Sequence, residues 1–280
     1  MTTGSFTTSD GLSLGYEDHG TGTPMLCLPG LTRNARDFDD LAAVLPDGIR
    51  MIRLTFRGRE GSDWAPDPST YQIPIEARDT VEFLDHIGLD KVTILGTSRG
   101  GLVAMVMAAT VKDRLAGVIL NDIGPEIADE GLARIKRYVG RAPTANTYGG
   151  IVDAMKRDMG AGFRGLDDAR WRALAERWFR DDGHGLALRY DPRIADAMAA
   201  AEAAGPPPDL WPLFDAFAGL PLAIIRGANS DLLTSDTVAE MARRRPDMVV
   251  AEVPDRGHVP CLDEPQSLAA IQSVLARVTA

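Results

Sequence analysis

The residues with the clearest chemical potential lie at positions 96–101, which read GTSRGG. This segment directly follows the apolar run 92–95 and directly precedes an apolar stretch with helical spacing. Glycines two positions before and after Ser98 allow a tight turn between a strand and a helix, because no side chains obstruct the backbone. The serine hydroxyl would then be exposed at the carboxyl edge of a sheet. The spacing predicts that Ser98 is a nucleophile rather than an ordinary turn residue.

A serine hydroxyl needs a neighbouring base at neutral pH, and the chain has four histidines. His86 lies in an amphipathic helical segment and His19 ends a predicted edge strand, so packing or solvated roles are expected for both. His184 belongs to a glycine loop, where it could at most contact a substrate. His258 follows the last predicted strand on a short loop, at the same sheet edge as Ser98. Elimination therefore selects His258 as the base.

The imidazole of His258 in turn needs a carboxylate that holds its tautomer. Asp231 is favoured, because it follows the predicted strand 222–225 and because the chain order Ser, Asp, His is known at such sites. Asp122 occupies an equally plausible edge position after the strand 117–120, and its alternative role is to cap a helix or anchor a loop. The sequence thus predicts a Ser98–His258–Asp231 triad, with Asp122 as the alternative acid.

Two backbone amides are candidates for stabilising a developing oxyanion. The turn at Ser98 directs the N–H of Arg99 and the following helix N-terminus at whatever binds there. The loop after the first parallel strand, residues 28–32 (LPGLT), could supply a second donor through the N–H of Leu31. Gly30 would permit the close approach. We therefore expect an oxyanion hole formed by the Leu31 and Arg99 amides.

The elements that would position these groups alternate between strand and helix. Residues 6–16 predict an edge hairpin around the turn at Asp10-Gly11. Four apolar runs are typical of strands buried on both faces, at 25–28, 51–54, 92–95 and 117–120. Segments with helical spacing lie between them, at 38–45, 75–87 and 101–109. Such alternation requires crossover connections and a mostly parallel sheet flanked by helices.

After position 122 helical spacing replaces the alternation, and glycine-rich turns punctuate the segment. The strand and helix pattern resumes at the strand 222–225, with helices expected at about 235–244 and 265–278 and a strand at 248–253. We therefore predict an α/β fold in three parts: a core segment 1–122, a helical cap 123–215 inserted after the sixth strand, and a second core segment 216–280.

Composition excludes several classes of function. The net charge of -10 disfavours nucleic acid or an anionic membrane as partner. No basic and apolar leader and no run of roughly 20 apolar residues is seen, so a soluble cytoplasmic protein is expected. Cys27 and Cys261 have no metal-ligand spacing and predict free thiols. Without a dinucleotide fingerprint, a P-loop or an HExxH motif, no cofactor or metal is expected. The sequence leaves a homodimer open.

Five ordered motifs make the chain resemble the α/β-hydrolase superfamily over essentially its whole length. They are the 29–31 loop (PGL), the 57–62 stretch (RGREGS), the elbow at Ser98, the Ser230-Asp231 turn and the Gly257-His258 loop. Two departures stand out. A His-Gly pair of the family is Pro29-Gly30 here, and the family's DxRGxGxS stretch begins at Thr55 and carries one additional residue. The resemblance implies a cofactor-free hydrolase, and a serine at the elbow is unlike the aspartate of dehalogenases and epoxide hydrolases.

Substrate choice is expected to lie in the cap. Trp178 and Trp211 could line an apolar acyl pocket, although helical spacing also suits a cap core. Arg137 and Tyr138 could contact a substrate carboxylate, although arginines on helices are commonly solvated. The leading hypothesis is a serine hydrolase of small to medium, mostly apolar esters or lactones. The alternatives are a carbon–carbon bond hydrolase of dienoic keto acids, which would need an anion-binding arginine near Ser98, and a non-catalytic ligand-binding protein on the same fold.

Overall fold

A computed structural model describes residues 2–279 and has an eight-stranded sheet at its centre. The strands are β1 (Thr2–Thr7), β2 (Ser13–His19), β3 (Thr23–Leu28), β4 (Ile49–Leu54), β5 (Val92–Thr97), β6 (Leu115–Asn121), and, after the short hairpin β7 (Phe179–Asp181) and β8 (Leu186–Leu188), β9 (Leu222–Gly227) and β10 (Val249–Val253). The order across the sheet is β1-β2-β4-β3-β5-β6-β9-β10. β1 and β2 pair antiparallel, β2 joins β4 antiparallel, and all other neighbours are parallel. The predicted mostly parallel α/β fold is confirmed.

Burial explains why the central strands read as continuous apolar runs. Every residue of β5 and of β9 is buried, since helices cover both faces of the sheet. One large apolar cluster lies on the side of Phe83 and Val103, and a second lies on the other side around Phe38 and Ile271. The edge hairpin of β1 and β2 is more exposed, as expected for strands with one solvated face.

The helices lie close to the predicted segments. They are α1 (Asp39–Val44), α2 (Ile73–His86), α3 (Arg99–Thr110), α4 (Asp129–Tyr138), α5 (Tyr148–Met159), α6 (Asp168–Trp178), α7 (Ile194–Ala203), α8 (Trp211–Asp215), α9 (Ser235–Arg244) and α10 (Pro265–Thr279). Short 3-10 turns occur at Ala35–Phe38, Pro68–Thr70, Lys112–Arg114 and Gly160–Gly162. Within residues 2–279, none of these helices has both the length and the apolar character needed to cross a bilayer.

The chain between β6 and β9 contains α4 to α8 and the β7–β8 hairpin. Part of it has an apolar cluster of its own, which includes Met155 on α5 and Trp171 and Leu174 on α6. α6 begins after Asp167, whose carboxylate accepts a hydrogen bond from the Arg170 amide as an N-cap. The division into core 1–122, cap 123–215 and core 216–280 stays a prediction, and this segment is where the cap was expected.

The sheet order brings distant loops to one edge. β5 is central, with β3 on one side and β6 on the other, and the three strands run parallel. β9 and β10 continue the same direction beyond β6. The loops that follow these strands therefore open at a single edge, where ligands bind in open α/β sheets.

Candidate active site

Ser98 sits on a sharp turn between β5 and α3. Its backbone has φ 50° and ψ -113°, a left-handed conformation that is strained for a residue with a side chain. A Cβ at Gly96 would stand 2.6 Å from the backbone of Gly100. A Cβ at Gly100 would overlap the Leu28 carbonyl oxygen of β3. Both positions therefore require glycine, and the tight crossing lifts the serine hydroxyl to the sheet edge as the spacing predicted.

His258 is the histidine that reaches Ser98. Its Nε2 lies 3.0 Å from the Ser98 Oγ, on the loop between β10 and α10. His86 instead packs against Phe6 and Tyr16, and His184 is exposed in the turn between β7 and β8. The geometry agrees with the choice of His258 made by elimination.

The carboxylate that holds His258 belongs to Asp122. Its Oδ2 lies 2.8 Å from the Nδ1 of His258 and accepts a hydrogen bond of 2.6 Å from the Ser230 hydroxyl. Its Oδ1 accepts a hydrogen bond of 2.8 Å from the Gly227 amide. Asp122 is fully buried, so these three bonds fix its orientation.

The prediction that Asp231 fills this role is wrong in the structure. Its carboxylate is 25% exposed and pairs with Arg134 of α4 at 2.6 Å. Asp231 lies four residues beyond the end of β9, whereas Asp122 immediately follows β6, the direct neighbour of β5. The longer loop carries Asp231 outward and leaves its neighbour Ser230 to support Asp122 instead.

The backbone N–H groups of Leu31, after β3, and of Arg99, at the start of α3, are the predicted oxyanion donors. Within residues 2–279, neither N–H donates to a protein acceptor. Leu31 lines the cavity beside Ser98, and Arg99 opens α3. Two free donors next to a nucleophile can stabilise an oxyanion, because they need no reorganisation when the charge develops.

A buried charge network holds both of these residues. The carboxylate of Glu76 accepts from the Arg59 Nη1 at 2.7 Å and from the Arg99 Nε at 2.5 Å. Arg59 also donates to the Leu31 carbonyl at 2.8 Å. Burial alone would raise the pKa of Glu76, but the two guanidiniums outweigh it and hold the pKa below its usual range. The Arg99 side chain is thus held within the protein, and only the backbone N–H of Arg99 is free to contact a substrate.

A cavity of about 640 Å³ opens above Ser98 and His258. Its walls come from the loop after β3, from α4 and the chain that follows it, from α5, and from the end of α6. Trp178, Arg137 and Tyr138 line it, in agreement with the sequence analysis. The volume is within the range of small-molecule sites.

Trp211 does not line this cavity, which corrects the prediction. Its Nε1 donates to the Glu126 carboxylate at 2.8 Å, and the Arg244 guanidinium stacks on its ring at 4.2 Å. Trp211 begins α8, which packs on α3 away from the loops of the site. The apolar ring of Trp211, which suggested an acyl pocket, instead contributes to the packing of α8.

Arg33 and Asp37 also line the cavity, although neither was among the residues predicted from the sequence. The Arg33 guanidinium lies 3.4 Å from the centre of the Trp178 ring and 3.4 Å from the Asp37 carboxylate. A Cβ at Gly30 would touch both the Arg33 stem, at 3.4 Å, and the Ser98 Cβ, at 3.8 Å, so Arg33 is close to the nucleophile. Burial raises the pKa of Asp37, against the opposing effect of the Arg33 and Arg177 guanidiniums. Both residues follow the predicted oxyanion loop 28–32 closely in the sequence, and this position was the one signal that could have identified them.

One grouping within residues 2–279 has donor atoms close enough to share a metal ion, namely Cys261, Asp263 and Glu264. Glu264 already accepts hydrogen bonds from Arg256 and from the Cys261 and Leu262 amides. Its role in the structure is to shape the loop that follows His258.

Comparison with known proteins shows the family of the chain. Residues 25–271 match the model of the alpha/beta hydrolase family. The chain belongs to this family. The 3-hydroxybutyrate-oligomer hydrolase of Cupriavidus necator is 35% identical to this α/β hydrolase over 257 residues, which are 88% of this chain and 85% of that protein. The 2-(acetamidomethylene)succinate hydrolase of Mesorhizobium japonicum is 26% identical over 248 residues, with the same shares of the two chains.

Among solved structures, an alpha/beta hydrolase from Novosphingobium aromaticivorans superposes on this α/β hydrolase with a TM-score of 0.92 at 41% identity. The match covers 99% of this chain and 98% of that one. A thermophilic esterase from Thermogutta terrifontis has a TM-score of 0.72 at 24% identity and shows the shared fold.

Proposed function

We propose that this α/β hydrolase is a serine carboxylic-ester hydrolase that acts on small to medium esters or lactones. The observation that carries the proposal is the continuous line of contacts from the Ser98 Oγ through both nitrogens of His258 to Asp122, at 3.0 and 2.8 Å. A serine becomes a nucleophile when a histidine accepts its proton and a carboxylate stabilises the imidazolium.

These positions support the following proposed reaction. His258 takes the proton of Ser98 while the Oγ attacks the ester carbonyl, and the Leu31 and Arg99 amides bind the resulting oxyanion. Collapse of the tetrahedral intermediate expels the alcohol, which receives the proton from His258. Water then gives its proton to His258, attacks the acyl-enzyme and releases the acid with restoration of Ser98. Asp122 keeps the Nε2 of His258 directed at Ser98 throughout.

The cavity and the relatives indicate where the substrate search should begin. A volume of about 640 Å³ accommodates an ester with several carbons on each side of the bond. The Cupriavidus necator relative is a hydrolase of 3-hydroxybutyrate oligomers by its name. Such oligomers are joined by ester bonds, and we include short hydroxy-acid oligomers in the proposed substrate class.

Turnover and active-site labelling test the proposal together. The wild type should hydrolyse 4-nitrophenyl esters of two to eight carbons and react with a fluorophosphonate probe, and Ser98→Ala should lose both. Ser235→Ala is the matched control, because Ser235 is exposed at the start of α9. Turnover or labelling that persists in Ser98→Ala contradicts the mechanism. Ligand binding without turnover or labelling in the wild type would indicate a binding protein.

Arg33 favours one second candidate, a carbon–carbon bond hydrolase of dienoic keto acids. That reaction needs a cation near the nucleophile, and Arg33 lines the same cavity as Ser98 with its side-chain stem beside Gly30. An assay with a ring-cleavage product separates the two functions, since faster turnover of that compound than of any ester would favour the second.

A further inference from the structure

The cavity above Ser98 carries charge of the opposite sign to the whole chain. Its lining contains four arginines, which are Arg33, Arg134, Arg137 and Arg141. The acidic residues of the lining are Asp37 and Asp158. A cationic surplus inside a chain of net charge -10 concentrates the field in the cavity, where low-dielectric walls limit screening. An anionic ligand would be attracted there and repelled elsewhere.

Two of the four arginines already have a carboxylate partner. Arg33 lies 3.4 Å from Asp37 and is covered by the Trp178 ring. Arg134 pairs with Asp231 at 2.6 Å. Their charges are partly balanced within the protein, so Arg33 and Arg134 are less available to an external anion than Arg137 and Arg141 are.

Arg137 and Arg141 differ from most arginines of this chain. In the part of the chain that the structure describes, neither side chain has a carboxylate within 4.0 Å or a hydrogen-bond acceptor. Arg137 lies in the last turn of α4, which ends at Tyr138. The Arg141 amide donates to the Tyr138 carbonyl at 3.1 Å across a reverse turn in which Val139 is extended and Gly140 has φ 75°. The reverse turn keeps Arg141 close to the end of α4 that carries Arg137. Both side chains are exposed at the cavity wall.

We propose that Arg137 and Arg141 bind a carboxylate of the substrate, so that the enzyme selects esters bearing a free carboxylate away from the scissile bond. Two guanidiniums without a carboxylate partner on the wall of one cavity attract an anion, and their planar donors match a carboxylate. The class includes monoesters of dicarboxylic acids and hydroxy-acid oligomers with a free acid end. This inference rests on the proposed ester hydrolysis at Ser98.

A pair of substrates that differ only in charge tests the proposal. Mono-4-nitrophenyl glutarate has a free carboxylate, and methyl 4-nitrophenyl glutarate carries a methyl ester in its place. The wild type should hydrolyse the acid with a kcat/KM about tenfold above that of the methyl ester, given the strength of charge-assisted hydrogen bonds. Arg137→Gln with Arg141→Gln should remove this preference by lowering kcat/KM for the acid, with less than about a twofold effect on the methyl ester.

Arg157→Gln provides the matched control. Arg157 is an exposed arginine of α5, also without an acidic partner among residues 2–279, and it lies outside the cavity lining. Its removal takes away one positive charge, half the change made by the double variant, and should leave the preference for the acid intact. Equal kcat/KM of the wild type for the two glutarates overturns the proposal, as does an equal loss of the preference in Arg157→Gln.

A binding measurement keeps this proposal distinct from the proposed function. Calorimetry of Ser98→Ala with monomethyl glutarate reports carboxylate recognition without any turnover. Binding that weakens about tenfold in the Arg137→Gln, Arg141→Gln background supports the arginine pair even if ester hydrolysis fails. Absence of binding, together with hydrolysis of neutral esters by the wild type, overturns the arginine pair and leaves the ester hydrolase standing.

Discussion

The Oδ2 of Asp122 lies 2.8 Å from the Nδ1 of His258, across 136 positions of the chain. Parallel pairing of β5, β6, β9 and β10 makes this contact possible, because each strand ends at the same edge of the sheet. The carboxylate is buried and receives two further hydrogen bonds, from Gly227 and Ser230. It can therefore orient the imidazole without moving when the proton is transferred.

Asp122→Asn should lower kcat on a 4-nitrophenyl ester by about three to four orders of magnitude, because the amide favours the wrong imidazole tautomer. Asp231→Asn is the matched control and should stay within about threefold of the wild type, since Asp231 faces Arg134. Steady-state kinetics on both variants decide the assignment. A larger loss of kcat in Asp231→Asn than in Asp122→Asn would show that Asp231 is the catalytic acid.

Glu76→Gln should lower kcat more than it changes KM. The substitution weakens the hydrogen bonds that position Arg99 and, through Arg59, the Leu31 loop, whereas the cavity that binds the substrate is unchanged. It should also cost about 3 kcal/mol of stability, since Arg59 would be left buried beside a neutral partner. Kinetics and urea unfolding give the two numbers. Glu82→Gln, at a partly exposed position of the same helix that faces Ser9 and Arg78, should leave kcat unchanged and cost less than about 1 kcal/mol. Unaltered kcat in Glu76→Gln would show that the network does not position the amides.

The fall in the free energy of unfolding at acidic pH should depend on Glu76. Its pKa is lowered in the fold, so the folded state binds fewer protons than the unfolded state near the ordinary pKa of about 4.3. The stabilising contribution is complete above that value and is lost as the pH falls through the folded pKa. Urea unfolding between about pH 5 and pH 3 should therefore show a smaller fall in stability for Glu76→Gln than for the wild type. Parallel curves would contradict the shift.

Gly100→Ala should destabilise the protein by about 2 kcal/mol, because the added methyl group would overlap the Leu28 carbonyl. Gly30→Ala is the comparison, since its methyl group would meet the nearest atoms at 3.4 Å or more. Thermal unfolding of the two variants measures the difference. Equal melting temperatures would show that the elbow can open to admit a side chain.

Cys261 should alkylate slowly at neutral pH. Burial raises the pKa of its thiol to about 11 and also raises the pKa of Cys27. Because only the thiolate reacts, iodoacetamide at pH 8 should modify Cys261 about a hundredfold more slowly than glutathione, with a rate that rises up to pH 11. Mass spectrometry of Cys27→Ala follows Cys261 alone. Labelling as fast as glutathione at pH 8 would exclude the raised pKa. Both residues are free thiols in the structure, as predicted.

The sequence by itself determined the alternation of strands and helices, the elbow at Ser98 and the choice of His258. These signals are local: apolar runs mark buried strands, glycines mark a turn that side chains would block, and a short list of histidines permits elimination. The predicted bounds of α9 agree with the structure, and those of β10 differ by one residue.

Only the tertiary structure decided between Asp122 and Asp231. Both follow a strand at the same sheet edge, and both satisfy the chain order Ser, Asp, His, so that order could not separate them. The distinction depends on how far each loop carries its carboxylate from the strand end, and on Arg134 capturing Asp231. The same holds for Trp211 and for Arg33, whose surroundings are set by residues far away in the chain. Local patterns identify what each segment forms, whereas partners across the fold are fixed only when the segments pack.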